Sequence, residues 1–420
     1  LIGTAKPYSV LLTAKDMFKL YNRYNKRYSY SGNLKLETLY FLSSQKDITQ
    51  IGDDNRTNFV LDWRHSQSLR NNQKLNVNAK YYSNGEYNRN TGLDPTVRLK
   101  QQAVSNATYS KQWKKWNNSI SVNLSSTRDL MADEKIDSSS VFYQKPYKTG
   151  QKIYITNNTL PSLSFRHGQS QLFPEKSNLK KWYNNISWNY SSSFNNKMQT
   201  YFESDSVPDT TTFQWIMEGN EGYVKSESDP VATHNFGLSA PQKIFKYISL
   251  NPSVSLKHVW VSESFDGASL NADSTELIAP DKPTKGFFTR TTGSFRLNLR
   301  TQLYGMFPIK MGALKGVRHV ASPSIGYSYT PDFSEPFFGY DFGYFEREQG
   351  TDGKTLFHDR FRGTRAGSTP KSKSKSMSLS LNNVFQAKVG EDDEEKKIDL
   401  FSWNMSTNYN FVADSMNLAN

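Results

Sequence analysis

Strict alternation of apolar and polar residues is the feature of this sequence that most limits its fold. The longest example lies near the end of the chain, where six mostly apolar residues are interleaved with five small polar ones. Successive side chains of a β-strand point to opposite faces, so this pattern predicts a strand with one apolar and one polar face. A tilted strand of about eleven residues is long enough to cross a bilayer. The apolar set is Phe401, Trp403, Met405, Thr407, Tyr409 and Phe411, and the polar set is Ser402, Asn404, Ser406, Asn408 and Asn410.

The same alternation recurs along the chain, and the connections between the predicted strands are alternately short and long. Bacterial outer-membrane barrels have this arrangement, with short periplasmic turns and long extracellular loops. We therefore predict an all-β fold, an antiparallel transmembrane β-barrel. The chain would supply roughly fourteen strands of a larger barrel, with residues 1–420 forming part of one barrel domain and no second domain. The further alternating segments are 33–40, 74–81, 119–124, 186–191, 295–300 and 377–382.

The composition agrees with a barrel better than with a soluble fold. Hydrophobic residues make up 36% of the chain and the mean hydropathy is -0.71, which is low for a well-packed core. Aromatic residues nevertheless reach 14%, which argues against intrinsic disorder. Strands with one face towards a wet lumen, joined by polar loops and flanked by interfacial aromatics, account for both values. No apolar run is long enough to predict a transmembrane helix.

No catalytic or metal-binding pattern stands out in the sequence. Cysteine is absent and the six histidines are dispersed, and neither a zinc-protease helix motif, a nucleophile elbow nor a phosphate-binding loop occurs. The segment Gly350–Lys354 has the wrong spacing for a phosphate loop and is interpreted as a turn. We therefore expect no enzyme activity, no cofactor and no metal.

The formal net charge of +13 indicates either a solvated basic surface or an anionic partner. The basic residues are scattered rather than clustered, so a nucleic-acid partner is not expected. Several of them lie on the polar side of predicted strands, where they would face a hydrated lumen at little cost. These residues are Lys35, Lys74, Lys80, Arg296, Arg300 and Lys388.

Local composition predicts the character of some connections. The low-complexity stretch Ser368–Ser376 is interpreted as the flexible end of a long loop that enters a strand. Short turns such as Trp113–Trp116 and Lys180–Tyr183 place lysines beside aromatic residues, which is typical of a membrane interface. The chain begins at Leu1 without a signal peptide and ends just past a strand. We therefore expect it to be an internal fragment of a longer protein.

Two neighbouring segments resemble a known family. Thr301–Pro308, followed by Val317–Phe333, has the form of a strand ending in T-x-L-Y-G, a short turn, and then R-H-x-x-x-P-S-x-x-Y-S-Y-x-P-x-F. This resembles the barrel domain of the LptD family of lipopolysaccharide-assembly proteins, most closely its Bacteroidota-type branch. The residues that carry the resemblance are Tyr304, Gly305, Arg318, His319, Pro323, Tyr327, Tyr329 and Pro331.

The resemblance implies transport of lipopolysaccharide from the periplasm to the outer leaflet of a Gram-negative outer membrane. It also implies an LptE-like plug lipoprotein, an LptA-like periplasmic bridge and outer-membrane lipid as partners. The absence of cysteine departs from family members whose disulfides join jellyroll and barrel. Taken without the resemblance, the residues also allow a porin-like channel, a TonB-dependent-type receptor barrel, or a soluble secreted β-protein.

Overall fold

The described residues are mostly β-strand, and the chain is divided into two compact units, Leu1–Arg166 with Ser193–Val231, and His167–Ser192 with Ala232–Asn420. In the described residues the one α-helix is a single turn, α1 (Ala132–Ile136), and no helix has the length and apolar character that a membrane span requires. The computed structural model describes residues 6–14, 21–22, 26–27, 29–40, 57–82, 102–136, 152–175, 181–204, 222–309, 314–389, 396–413 and 418–419.

The first unit contains an antiparallel ladder in which each long strand pairs with its predecessor in the chain. Its strands are β1 (Lys6–Ala14), β2 (Tyr21–Asn22), β3 (Lys26–Arg27), β4 (Ser29–Tyr40), β5 (Thr57–Leu69), β6 (Gln73–Tyr82), β7 (Gln102–Trp113) and β8 (Asn118–Asp129). β1 pairs with β4, and the ladder then continues in sequence order from β4 to β8. This is the antiparallel meander expected when amphipathic strands follow one another along the chain.

Three longer strands come next, and each has residues in both units. With 20, 18 and 18 residues they exceed the roughly eleven residues that crossing a bilayer requires. Of the three, only β10 carries one of the predicted alternating segments, and that segment covers a small part of its length. They are β9 (Lys152–Gln171), β10 (Ser187–Ser204) and β11 (Gly222–Ser239).

The second unit continues the antiparallel pattern. β12 pairs with β13, β13 with β16, both β16 and β17 with β18, β18 with β21, β21 with β22, and β22 with β23. The strands are β12 (Gln242–Ile244), β13 (Ile248–Ser264), β14 (Ser269–Leu270), β15 (Leu277–Ile278), β16 (Thr284–Arg300), β17 (Leu303–Phe307), β18 (Leu314–Thr330), β19 (Phe345–Gln349), β20 (Thr355–Asp359), β21 (Ser374–Val389), β22 (Lys396–Asn410) and β23 (Leu418–Ala419).

The predicted all-β antiparallel fold is confirmed. Within the described ranges seventeen strands belong to one sheet, and the fourteen long ones match the number expected from the alternation. The other three, β12, β17 and β23, have five residues or fewer. The alternating segments fall on β4, β6, β8, β10, β16, β21 and β22, with ends that differ by a residue.

Two long connections of the second unit pack together into a folded element that we call the loop cap. It consists of residues 265–283, which join β13 to β16, and residues 331–373, which join β18 to β21. Each carries a small hairpin, β14–β15 or β19–β20, and a backbone hydrogen bond from Gly350 to Lys354 makes the predicted turn of the second hairpin. The apolar core of the loop cap is buried and includes Leu277, Phe333, Tyr344, Phe345 and Phe361.

The loop cap is held to the sheet by a buried arginine of β16. Arg290 donates to the carbonyl oxygens of Ala366 and Gly367 and to the hydroxyl of Thr369, and Thr369 is itself buried. The stretch 368–376 leads into β21 at Ser374, as predicted, while Thr369 near its start is buried and hydrogen-bonded. The physical reason is that serine, threonine and lysine favour flexibility only when no distant partner binds them, and here Arg290 does.

Candidate functional site

The sheet of the second unit has two chemically different faces. On the polar face, the hydroxyls of Ser324 and Ser380 lie 2.6 Å apart across β18 and β21. On the other face, one position further along, Ile325 lies opposite Leu379. Both apolar side chains are more than one-third exposed, at 40% and 37%. An apolar face that is exposed rather than packed against a core is what a lipid-facing surface requires.

The predicted basic residues of the second unit lie on its polar face. Arg296 and Arg300 belong to the same alternating row of β16 as Asn298, and both are exposed. Lys388, at the end of β21, is half-buried. The three residues are spread along the sheet rather than gathered at one point. Whether this face lines a lumen stays a prediction.

In the first unit, Lys74 and Lys80 share the polar side of β6. Lys74 is exposed, and the ammonium of Lys80 lies 3.7 Å from a carboxylate oxygen of Asp62 on β5. Lys35 pairs with Asp62 in the backbone register, but its side chain lies outside the described residues. Lys180, in the sequence range of the second unit, lies wholly outside them. Lys74 and Lys80 contribute positive charge to the polar side of β6, part of it offset by Asp62.

A pocket of about 360 Å³ lies where β17, β18, β21 and β22 come together, at their short-turn ends. We call it the turn-end pocket. It forms because β17 pairs with the first half of β18, while β21 and β22 extend past it to their turn. The pocket is lined by Tyr304, Met306, Gly316, Arg318, Gln386, Ala387, Lys388 and Lys397.

The described lining of the turn-end pocket is positively charged. Among its eight residues three are cationic, Arg318, Lys388 and Lys397, and none is acidic. A nearby carboxylate, that of Asp399, accepts a hydrogen bond of 2.8 Å from Gln386. An anion is the ligand that the three cations of this lining would attract.

The lysines of the pocket are also opposed in the sheet, since Lys388 of β21 lies directly across from Lys397 of β22. Like charges at directly opposite positions destabilise an antiparallel pair. The residue opposite Lys388 on the other side, in β18, is Gly316, which has no side chain. The two lysines therefore share one face of the sheet at its turn end.

Apolar surface lies beside these cations. Tyr304 and Met306 are 58% and 69% exposed, although both lie on the otherwise polar face. The guanidinium carbon of Arg318 is 4.7 Å from the centre of the Tyr304 ring, a cation–π contact that orients the cation. The Tyr304 hydroxyl donates to Gln302 at 2.8 Å. Cations beside exposed apolar groups suit a ligand that is anionic at one end and apolar at the other.

The structure divides the family-motif residues between the two faces. Tyr304 and Arg318 belong to the turn-end pocket, whereas His319 faces the apolar side, where its ring stacks on Phe385 at 4.2 Å and its Nε2 lies 3.0 Å from Asn383 Oδ1. The remaining motif residues lie on the same face as His319, or next to it in the chain or in the neighbouring strand. Pro323, Tyr327 and Tyr329 lie opposite Leu381, Met377 and Lys375 respectively, Gly305 lies opposite His319, and Pro331 follows the end of β18.

Sequence reasoning identified Tyr304, Arg318 and Lys388 separately, and only the register brings them together. It missed Met306, Gln386 and Lys397. The charge run 391–397 predicts a solvated turn, whereas Lys397 belongs to β22. Its pairing with Lys388 depends on a β-bulge between Phe385 and Gln386, which the sequence does not reveal.

Within the described residues no group of three or more His, Asp or Glu is arranged to hold a metal. An antiparallel sheet with one exposed apolar face and one polar face is the architecture of an outer-membrane transport protein. The family model described as LptD protein matches residues 13–420, and the chain belongs to this family. The family is one of transport and assembly proteins rather than enzymes, located in the Gram-negative outer membrane with a role in lipopolysaccharide transport. No curated protein matches the chain.

Proposed function

We propose that this chain is the barrel part of a translocon that moves lipopolysaccharide from the periplasm to the outer leaflet. The polar face of the sheet would line the lumen and the apolar face would contact lipid. The short turns would face the periplasm, and the loop cap would lie on the extracellular side. Membership of the LptD family and the amphipathic sheet support this arrangement.

The turn-end pocket is the observation that carries the proposal. Lipopolysaccharide has a phosphorylated, anionic head on an apolar anchor. Arg318, Lys388 and Lys397 supply the cations, and Tyr304 and Met306 supply adjoining apolar surface. Charge-assisted hydrogen bonds to phosphate are stronger than neutral ones. Under the proposed topology, the pocket lies at the end of the sheet where substrate arrives.

The proposed orientation in the membrane also predicts where the two partner proteins would bind. An LptE-like plug lipoprotein would occupy the lumen against the hydroxyl and amide side chains of the polar face, represented by Ser324, Ser380 and Asn298. An LptA-like bridge would deliver substrate near the turn-end pocket. The roughly fourteen strands would then be part of a larger barrel.

The proposal is tested by neutralising the opposed lysines. We expect the double variant Lys388→Gln/Lys397→Gln, made in the full-length protein in its native cell, to lower the rate at which new lipopolysaccharide reaches the surface by about tenfold, since two charge-assisted contacts are lost. The pair Lys388→Arg/Lys397→Arg should retain transport because it keeps both charges. The matched control is Lys243→Gln/Lys246→Gln, which removes two exposed lysines at another turn at the same end.

Normal surface lipopolysaccharide in the glutamine double variant, at a normal protein level in the outer membrane, would contradict the role of the pocket. Depletion of the protein separates the other functions. Loss of surface lipopolysaccharide supports transport, whereas unchanged surface lipopolysaccharide with altered uptake of small solutes would indicate a porin-like channel or a receptor barrel.

A further inference from the structure

A second cavity, of about 520 Å³, lies within the loop cap between β15, the β19–β20 hairpin and residues 362–371. We call it the cap cavity. Part of its lining is apolar and comes from Leu277, Phe345 and Phe357. The rings of Phe345 and Phe357 meet edge to face with centres 6.3 Å apart. The cap cavity therefore presents aromatic surface beside polar groups.

The cap cavity is preformed by hydrogen bonds behind its surface. The carboxylate of Asp359 accepts from the Thr369 hydroxyl at 2.8 Å and from its backbone N–H at 2.6 Å. His358 Nε2 lies 2.8 Å from the carbonyl oxygen of Phe265. These groups are buried and satisfied by one another, so they hold the cavity open rather than offer themselves to a ligand.

The accessible polar groups of the cap cavity balance one another in charge. Exposed Arg362 and Lys371 are donors, and exposed Glu276 is an acceptor. Thr355 and Ser368 add hydroxyls, each of which can donate and accept. The described lining of the turn-end pocket holds cations and no carboxylate, whereas the cap cavity sets Arg362 and Lys371 against Glu276 and the internally bonded Asp359. A small ion is therefore a poor match.

We propose that the cap cavity binds a saccharide. Sugar hydroxyls donate and accept hydrogen bonds, which matches the mixed set of Glu276, Arg362 and the hydroxyl residues. The C–H faces of sugar rings pack on aromatic rings, and Phe357 supplies such a ring, one side of which lies under the Lys371 ammonium at 4.8 Å. Concave sites that combine apolar wall with a few placed polar groups are typical of small-ligand binding. The inference does not depend on transport through the barrel, because binding is measured directly.

The test is binding to the full-length protein in detergent, measured by calorimetry. Two sets of probes distinguish the source of the saccharide: the saccharide released by mild acid from the cell's own lipopolysaccharide, and a panel of neutral trisaccharides. We expect Glu276→Ala/Arg362→Ala to weaken binding by about tenfold, the combined effect of two lost hydrogen-bonding groups. The matched control, Asp352→Ala/Lys354→Ala, removes an exposed ion pair of 2.9 Å at the tip of the β19–β20 hairpin and keeps the net charge unchanged.

The proposal is supported if either probe set binds and the Glu276→Ala/Arg362→Ala variant binds it about tenfold more weakly. Binding of the lipopolysaccharide saccharide would identify the exported lipid as the source, and binding of the neutral trisaccharides would identify saccharide from outside the cell. Three results would overturn it. Neither set binds, or Glu276→Ala/Arg362→Ala binds as tightly as the unaltered protein, or inorganic sulfate displaces the saccharide as well as a second saccharide does. The last result would mean that the cap cavity is an anion site.

Discussion

Arg290 and Thr369 are separated by 79 positions in the chain, yet Arg290 Nη1 donates to Thr369 Oγ1 at 2.9 Å. The threonine hydroxyl in turn donates to Asp359 Oδ1 at 2.8 Å. Only 3% of Arg290 is exposed, and its guanidinium also lies over the Phe361 ring. This relay joins a strand of the sheet to the core of the loop cap.

Replacing Arg290 should release the loop cap from the sheet. In Arg290→Gln the carbonyls of Ala366 and Gly367 lose their charged donor, and leaving such buried groups unpaired costs about 3 kcal/mol. We expect amide-hydrogen protection of residues 359–371 to fall by about a hundredfold, with strand protection largely retained. Arg296→Gln, an exposed position of the same strand, is the control, and equal protection in both variants would contradict the clamp.

The loop cap should loosen in acid. The hydrogen bond from Arg360, 2.5 Å long, lowers the pKa of Asp266, with a smaller contribution from the Ser264 hydroxyl. A depressed carboxyl pKa stabilises the folded form above the unfolded value of about 4, and this stabilisation is lost as the pH falls through the lower folded pKa. Proteolysis of the loop cap should therefore accelerate below about pH 4. The Asp266→Asn variant should be cleaved faster at neutral pH, and its cleavage rate should depend less on pH. An unchanged dependence of the cleavage rate on pH would rule out a role for the Asp266–Arg360 pair.

Close approach of β18 and β21 at Gly326 should make the sheet sensitive to one methyl group. A Cβ added to Gly326 would lie 2.5 Å from Ser378 Oγ and 3.2 Å from Asn298 Oδ1. We expect Gly326→Ala to lower the free energy of unfolding by about 1–2 kcal/mol, as overpacking does. Gly326→Ala/Ser378→Ala should recover most of it, because the clashing oxygen is gone. Thermal unfolding in detergent measures the stability of both variants. If the effects of Gly326→Ala and Ser378→Ala simply add in the double variant, the clash is contradicted.

The aromatic ring of Tyr304, rather than its hydroxyl, should matter for the turn-end pocket. Tyr304→Phe keeps the ring beneath Arg318 and loses only the exposed hydrogen bond to Gln302. We expect it to bind vesicles containing phosphorylated lipid as the unaltered protein does. Tyr304→Ala should bind about threefold to tenfold more weakly, as expected for a cation–π contact of about 1 kcal/mol. Equal binding by both variants would remove Tyr304 from the site.

The local alternation of apolar and polar residues was enough to predict strands such as β22. Trp403 and Met405 alternate with Asn404 and Ser406, and β22 contains them as predicted. The reason is that residues two positions apart in a strand share a face, so the character of each face can be seen directly in the sequence. The same pattern did not reveal that the long strands of the second unit extend well beyond a bilayer's thickness, because polar ends of strands resemble loops.

The chain order of amphipathic strands, the family motif and the basic character of the protein were determined by the sequence alone, since each depends on residues close together in the chain. The turn-end pocket and the loop cap were decided by tertiary structure. Lys388 meets Lys397 through a bulged register, and Arg290 meets Thr369 only after two long loops have folded against β16. Long-range pairing of this kind depends on packing and buried hydrogen bonds, and these act between residues that no local pattern connects.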